Sequence, residues 1–245
     1  MTEALVIFAG ALLGGFVSGL AGFGTALTAI GIWLHVAPPS VVAPLIVCCS
    51  CVAQSQTLPR IWKSINWRRI WPMIAAGIVG VPIGAWLLTL AEPRLFRLGI
   101  GILLVVFCSA MLLLRARPTT QWGGKAADAA IGFGGGIMGG LAGLSGPLPT
   151  IWASLRGWPK DERRGLFQAY NTTMLLWTLV AFVARGLVTA EVGRMFLVAL
   201  PGTLIGAWLG MLVYRRLSDS RFHDVALLIL VFSGASLIWP FLFGK

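Results

Sequence analysis

"GGFVSGLAGFGTAL" at Gly14–Leu27 and "GGIMGGLAGLSGPL" at Gly135–Leu148 are nearly the same phrase, written twice at a spacing of 121 residues. Glycine in a helix interior costs roughly 1 kcal/mol relative to alanine. Each phrase nevertheless lies inside a long apolar run, so the glycines answer a local requirement and not a helical preference. Other segments return in the same order at nearly the same spacing. "IGAWL" at Ile83–Leu87 recurs unchanged at Ile205–Leu209, and "LVVFCSAML" at Leu104–Leu112 returns loosely as "ILVFSGASL" at Ile229–Leu237. Repetition in constant order marks a duplicated unit. The chain therefore divides into a first repeat over residues 1–117, a connecting loop over 118–126 and a second repeat over 127–245.

The surroundings of the glycine phrases set the class. The chain of 245 residues is 58% hydrophobic and 11% charged, against about 25% charged in an ordinary soluble domain. It reads as an all-α polytopic membrane protein, with the lipid bilayer as its first partner. The opening "MTEALVIFAGALLGG" has no cationic stretch and reads as a membrane segment, not a cleaved signal peptide. In a soluble protein a net charge of +11 would point to nucleic acid. Here the lysines and arginines collect in short loops between apolar stretches, the pattern of loops that stay in the cytoplasm, and no nucleic-acid partner is implied.

Each half contains four apolar regions: 4–34, 40–59, 71–91 and 95–114 in the first, and 127–155, 166–184, 195–213 and 225–243 in the second. A helix needs about 20 apolar residues to cross the hydrocarbon core. The last three regions of each half have that length. The first is too long for one crossing and too short for two, and the glycine phrase interrupts it. If all eight regions cross once, the Lys and Arg residues divide ten against nine, with no bias. If each interrupted region enters and returns to its own side, one face gathers fourteen of the 19, from Arg60–Arg69, Arg115–Lys125, Arg156–Arg164 and Arg215–Arg221. The positive-inside rule favours the second arrangement. The halves are then inverted repeats, each a re-entrant helix pair plus three crossings, with both termini outside the cytoplasm. The competing consideration is that residues 4–21 alone make about 27 Å of helix, enough to cross.

Backbone that leaves the helix inside a membrane survives only where it lines a cavity or is wrapped in protein. A break also leaves free N–H groups at the start of the next half-helix, where the helix dipole adds partial positive charge. Gly22, Phe23, Gly24 and Thr25 form one candidate break, and Gly143, Leu144, Ser145 and Gly146 the other. Paired breaks near the midplane are how many inverted-repeat transporters hold a substrate. Pro147 and Pro149 suit the first turn of the helix that follows the second break. The upstream glycines, Gly15–Gly19 and Gly136–Gly140, have the spacing that lets helices pack closely.

The second region of each half supplies polar partners: Ser50 and Gln54 in one copy, Gln168, Asn171 and Thr172 in the other. At the 121-residue offset Ser50 aligns with Asn171 and Cys51 with Thr172. Hydroxyl and amide groups donate hydrogen bonds to an oxyanion without a buried charge. Lys63 and Arg185 align just past these regions, as vestibule charges that gather anions or as snorkelling side chains. Glu92, Asp128 and Glu191 sit near segment ends, so a proton relay of intramembrane carboxylates is not expected, and His35 reads as an interfacial packing residue. The cysteines of "CCSC" (Cys48, Cys49, Cys51) and Cys108 lie in apolar segments and read as packing, with neither a disulfide framework nor a metal site. No catalytic set or nucleotide loop is visible. The chain is read as a non-enzyme without cofactor or metal, and a homodimer stays open.

With the repeats laid out, the sequence resembles the sulfite exporter TauE/SafE family of bacterial membrane proteins, over essentially its whole length. The resemblance rests on "GGFVSGLAGFG", "GGIMGGLAGLSG" and the repeated "IGAWL". The first copy departs from it in Phe23 and Thr25, where smaller residues are expected. The resemblance implies a multi-pass protein of the cytoplasmic membrane that moves sulfite, sulfoacetate or related organosulfonates, often outward. Two other readings stand beside it: a carrier or importer of another small anion such as a carboxylate, and a membrane thiol or redox protein using Cys48, Cys49 and Cys51.

Overall fold

The computed structural model describes residues 2–21, 24–57, 67–113, 123–158 and 160–214, and beyond these residues 231, 234, 235, 237–239 and 241. Gly22, Phe23, Lys63 and most of the region 225–243 lie outside the described residues. Regular structure among the described residues is entirely helical. In chain order the helices are α1 (Thr2–Ala21), α2 (Thr25–Trp33), α3 (Pro39–Thr57), α4 (Trp67–Leu90), α5 (Pro93–Leu113), α6 (Gly124–Ala142), α7 (Pro147–Leu155), α8 (Lys160–Ala184) and α9 (Ala190–Tyr214).

Six of these helices, α1, α3, α4, α5, α8 and α9, are long and apolar enough to cross a bilayer. Their outward faces are apolar: Leu197 is 69% exposed and Trp71 63%. A surface of that kind calls for lipid and not water. With nine residues each, α2 and α7 extend only about 13 Å and do not span.

Each glycine phrase folds as a long helix, a break and a short returning helix. α2 lies back along α1, so that Trp33 Nε1 donates to the main-chain oxygen of Ile7 at 3.1 Å. A Cβ on Gly10 would strike the Trp33 indole, and one on Gly14 would press on Thr25 O at 3.0 Å. α7 lies back along α6 in the same way. There Trp152 Nε1 donates to Asp128 Oδ1 at 2.7 Å, and a Cβ on Gly134 would meet Leu148 at 3.0 Å. Asp128, expected at a segment end, sits early in α6 but is buried, because the returning helix covers it.

The most extensive helix contacts join α1 to α9 and α4 to α6, elements that come from opposite halves of the sequence. Glycine makes both seams. A Cβ on Gly15 or Gly19 would run into the backbone of Thr203 or Ala207, and one on Gly206 or Gly210 into that of Leu12 or Phe16. In the other seam Gly132, Gly136 and Gly140 press on the backbone of Met73, Gly77 and Val81. Residue numbers rise together along both seams, so the paired helices run parallel. Helices in lipid associate by close van der Waals contact, which small residues permit. α3 packs further on α9, and α8 on α4. The result is two bundles, α1–α2–α3–α9 and α4–α6–α7–α8, which meet chiefly along α3 and α8. α5 lies outside them, with Gly101 against Gly234, Leu237 and Ile238.

Candidate functional site

The two breaks face one another where the bundles meet. Gly24 adopts φ 116° as the residue before α2, and Gly143 adopts φ 70° at the end of α6. Both are left-handed conformations that a side chain disfavours. The upstream glycines therefore serve packing, while Gly24 and Gly143 serve the turns.

Between the breaks lies a small cavity lined by Ser18, Gly24–Leu27, Ser50 and Gln54 from one bundle, and by Gly143, Leu144, Gly146, Pro147 and Asn171 from the other. It has room for about one or two waters. Ser50 stands past the middle of α3 and Asn171 at the middle of α8, so the cavity is deep in the helical layer. None of the described lining residues is charged.

The wall is rich in hydrogen-bond donors. The hydroxyls of Thr25 and Ser50 are buried and make no hydrogen bond with the described residues. Leaving a buried hydroxyl unmatched costs roughly 1–3 kcal/mol, so two of them on one wall mark a place where a guest supplies the acceptors. At the start of α2 the N–H groups of Thr25, Ala26 and Leu27 precede the first intrahelical bond, Thr28 N to Gly24 O at 3.0 Å, and they point out of the helix end toward the cavity. The opposing end is poorer. Pro147 and Pro149 occupy α7's first turn and have no N–H to offer. The two breaks are thus unequal: the first gives main-chain donors, and the second depends on side chains.

Of the residues expected at the site, Gly24, Thr25, Ser50, Gln54, Gly143, Leu144, Gly146 and Asn171 come together on this wall. Ser145 stands behind it, fully buried, with Oγ donating to Asn171 Oδ1 at 2.5 Å. Gln168 also stands behind, its Nε2 donating to Gln54 Oε1 across the bundle boundary. Thr172 is off the wall, as is its counterpart Cys51, because each follows the wall residue by one and turns about 100° away. Arg185 is exposed just beyond α8, remote from the cavity, and Lys63, Gly22 and Phe23 lie outside the described residues. None of the four cysteines lines the cavity, and none of them is in a disulfide.

Sequence reading missed Ser18, Ala26, Leu27 and Pro147. Ser18 carried a signal: it lies seven residues before Thr25, within the repeated phrase, on the helix against which α2 folds. The packing of Ala26 and Leu27 on the wall follows from the reversal of α2 and had no signature of its own.

A helical chain with six membrane-length apolar helices among its described residues, and a buried, uncharged, donor-lined cavity between two helix breaks, is a multi-pass membrane protein with an internal polar site. It belongs to the sulfite exporter TauE/SafE family, a transporter family whose profile matches residues 7–237. It is similar to the probable sulfite/organosulfonate exporter TauE of Cupriavidus necator, with 27% identity over 240 residues that cover 94% of this chain and 92% of that protein. No solved structure matches it.

Proposed function

We propose that this chain is a secondary exporter of small sulfur-containing anions, sulfite or an organosulfonate such as sulfoacetate, and that it holds the anion between the breaks once the bundles part, because the cavity as described has room for only about one or two waters. The observation that carries the reading is the donor set: unmatched Thr25 and Ser50 hydroxyls, the α2 N-terminus and the Asn171 amide, with no carboxylate among the described lining residues. A sulfo group offers three oxygens that accept from several directions at once, and neutral donors hold it without trapping it as an ion pair would.

The proposed setting is the cytoplasmic membrane, with both termini outside the cytoplasm and the two halves inverted. The return of α2 along α1 to Ile7, and of α7 along α6 to Asp128, supports this topology. A cytoplasm negative by 100 mV drives each negative charge outward with roughly 2.3 kcal/mol, so export runs down the potential without a coupling ion. The cavity is walled by both bundles, and alternating access follows from one bundle rocking on the other about the α3–α8 contact. The moving parts are then the packed bundles and not the two sequence halves.

The test is counterflow of radiolabelled sulfite and sulfoacetate into proteoliposomes, with Asn171→Ala alongside. Saturable uptake that is lost in the variant is the expected result. Uptake equal to that of empty liposomes overturns the substrate assignment. Competition by small carboxylates, if stronger than by sulfite, transfers the reading to a carboxylate carrier.

A further inference from the structure

Two amide side chains reach the cavity, and the oxygen of each is already engaged from behind. On α8, Asn171 Oδ1 accepts from Ser145 Oγ at 2.5 Å. On α3, Gln54 Oε1 accepts from Gln168 Nε2. Asn171 and Gln54 line the cavity, while Ser145 and Gln168 do not. Ser145 is 0% exposed and Gln168 1%, so packing and not solvent fixes both partners.

A primary amide has an acceptor oxygen at one end and two N–H donors at the other. Its last torsion permits a half-turn that exchanges them. An amide that turns its oxygen to the cavity repels an anion, and one that turns its nitrogen attracts it. With each oxygen occupied from behind, as in the arrangement described, the nitrogen end of the amide is the one turned to the cavity. We infer that Ser145 and Gln168 are positioning residues for anion selectivity, holding the oxygens of Asn171 and Gln54 off the cavity so that their NH2 groups face the substrate. The inference rests on the anion-carrier reading and names what makes that site selective.

Neither pair recurs at the equivalent positions of the other half. At the 121-residue offset Ser145 aligns with Gly24, Asn171 with Ser50, Gln168 with Val47 and Gln54 with Leu175. Beside Gln54, the first half places two hydroxyls on the wall, Thr25 and Ser50, which rotate freely to present a proton. Amides do not adapt in that way, so wherever one was placed on the wall a second residue stands behind it. Gln54 and Gln168 also belong to different bundles, so this orienting bond exists only while α3 and α8 are in the arrangement described here.

The test is a pair of double-mutant cycles. Gln168→Met is made in the native protein and in a Gln54→Ala background. Ser145→Ala is made in the native protein and in an Asn171→Ala background, with Ser145→Thr as the variant that keeps the donor. Half-saturation by sulfite is read from counterflow and from the sulfite-induced thermal shift of the purified protein, so a variant that binds without transporting is still scored. The expected result is a rise of about tenfold in half-saturation for Gln168→Met and Ser145→Ala, the loss of a hydrogen bond to a charged ligand. The rise disappears where the amide has been removed, and Ser145→Thr stays near native. An equal rise in both backgrounds, or none in the native protein, overturns the inference. So does a fall in melting temperature and maximal rate with half-saturation unchanged. A native protein that neither binds nor carries sulfite or sulfoacetate overturns the anion reading itself, which the native control distinguishes from failure of the positioning role.

Discussion

Trp152 Nε1 donates to Asp128 Oδ1 at 2.7 Å, and at the matching place in the other hairpin Trp33 Nε1 donates to a main-chain oxygen, that of Ile7. Both hairpins are thus closed by an indole near the open end, opposite the break. In one the acceptor is a side chain, and in the other it is the backbone itself.

Substitution of Asp128 therefore tests how far that closure stabilises the hairpin. Asp128→Leu leaves a buried indole N–H unmatched and is expected to cost roughly 1–3 kcal/mol. Asp128→Asn retains an acceptor and is expected to lose much less. Thermal unfolding of the three proteins in one detergent checks the order native, Asn, Leu. A Leu variant as stable as the native protein would mean that Trp152 is held by packing alone.

The glycine seams predict a contrast within one residue type. Gly140→Val forces side-chain atoms against the backbone of Val81, and overpacking of this kind costs about 1–3 kcal/mol. Gly99, within α5, has nothing near its missing Cβ, so Gly99→Ala is expected to hold or raise stability, by up to about 1 kcal/mol of helix propensity. Melting temperatures moving in opposite directions would confirm the seam. Equal losses would refute it.

Asn171→Asp replaces a cavity donor with a carboxylate of nearly the same shape. Sulfite half-saturation is expected to rise at least about tenfold as the like charge opposes the anion and the NH2 donor is lost. Counterflow is the measurement, with melting temperature as the control for folding. Undiminished sulfite uptake by a folded Asp variant would place the anion elsewhere.

His35 lies in the turn after α2, outside the helices long enough to span. Burial, and then the nearby positive charge of Arg97, lower its pKa below the ordinary 6.5. The folded protein thus binds this proton less readily than the unfolded chain does, and stability is expected to fall as pH drops from about 6.5 through the lower folded value. His35→Gln is expected to flatten that part of the profile. Melting temperature in detergent between pH 5 and 7.5 checks it, and a native profile already flat there would show that His35 contributes nothing to the pH dependence.

Much of this molecule was written in one dimension. Membrane-length apolar runs and the scarcity of charge require helices, because the backbone in lipid must satisfy its own hydrogen bonds. The repeated phrase located both breaks, since Gly24 and Gly143 adopt dihedrals that follow from local sterics alone. Ser50 and Asn171 were legible as a matched pair for the same reason: duplication keeps equivalent residues in equivalent places. The partners were not legible. That α1 packs on α9 and α4 on α6, exchanging elements between the halves, depends on which glycine faces meet in three dimensions, and apolar helices in lipid carry no pattern that names their neighbours. The different standing of Gln54 and Gln168, one on the cavity wall and one behind it, likewise emerges only when α3 and α8 cross. A side chain's chemistry belongs to its residue type, but the direction in which an amide points is decided by what is packed against it.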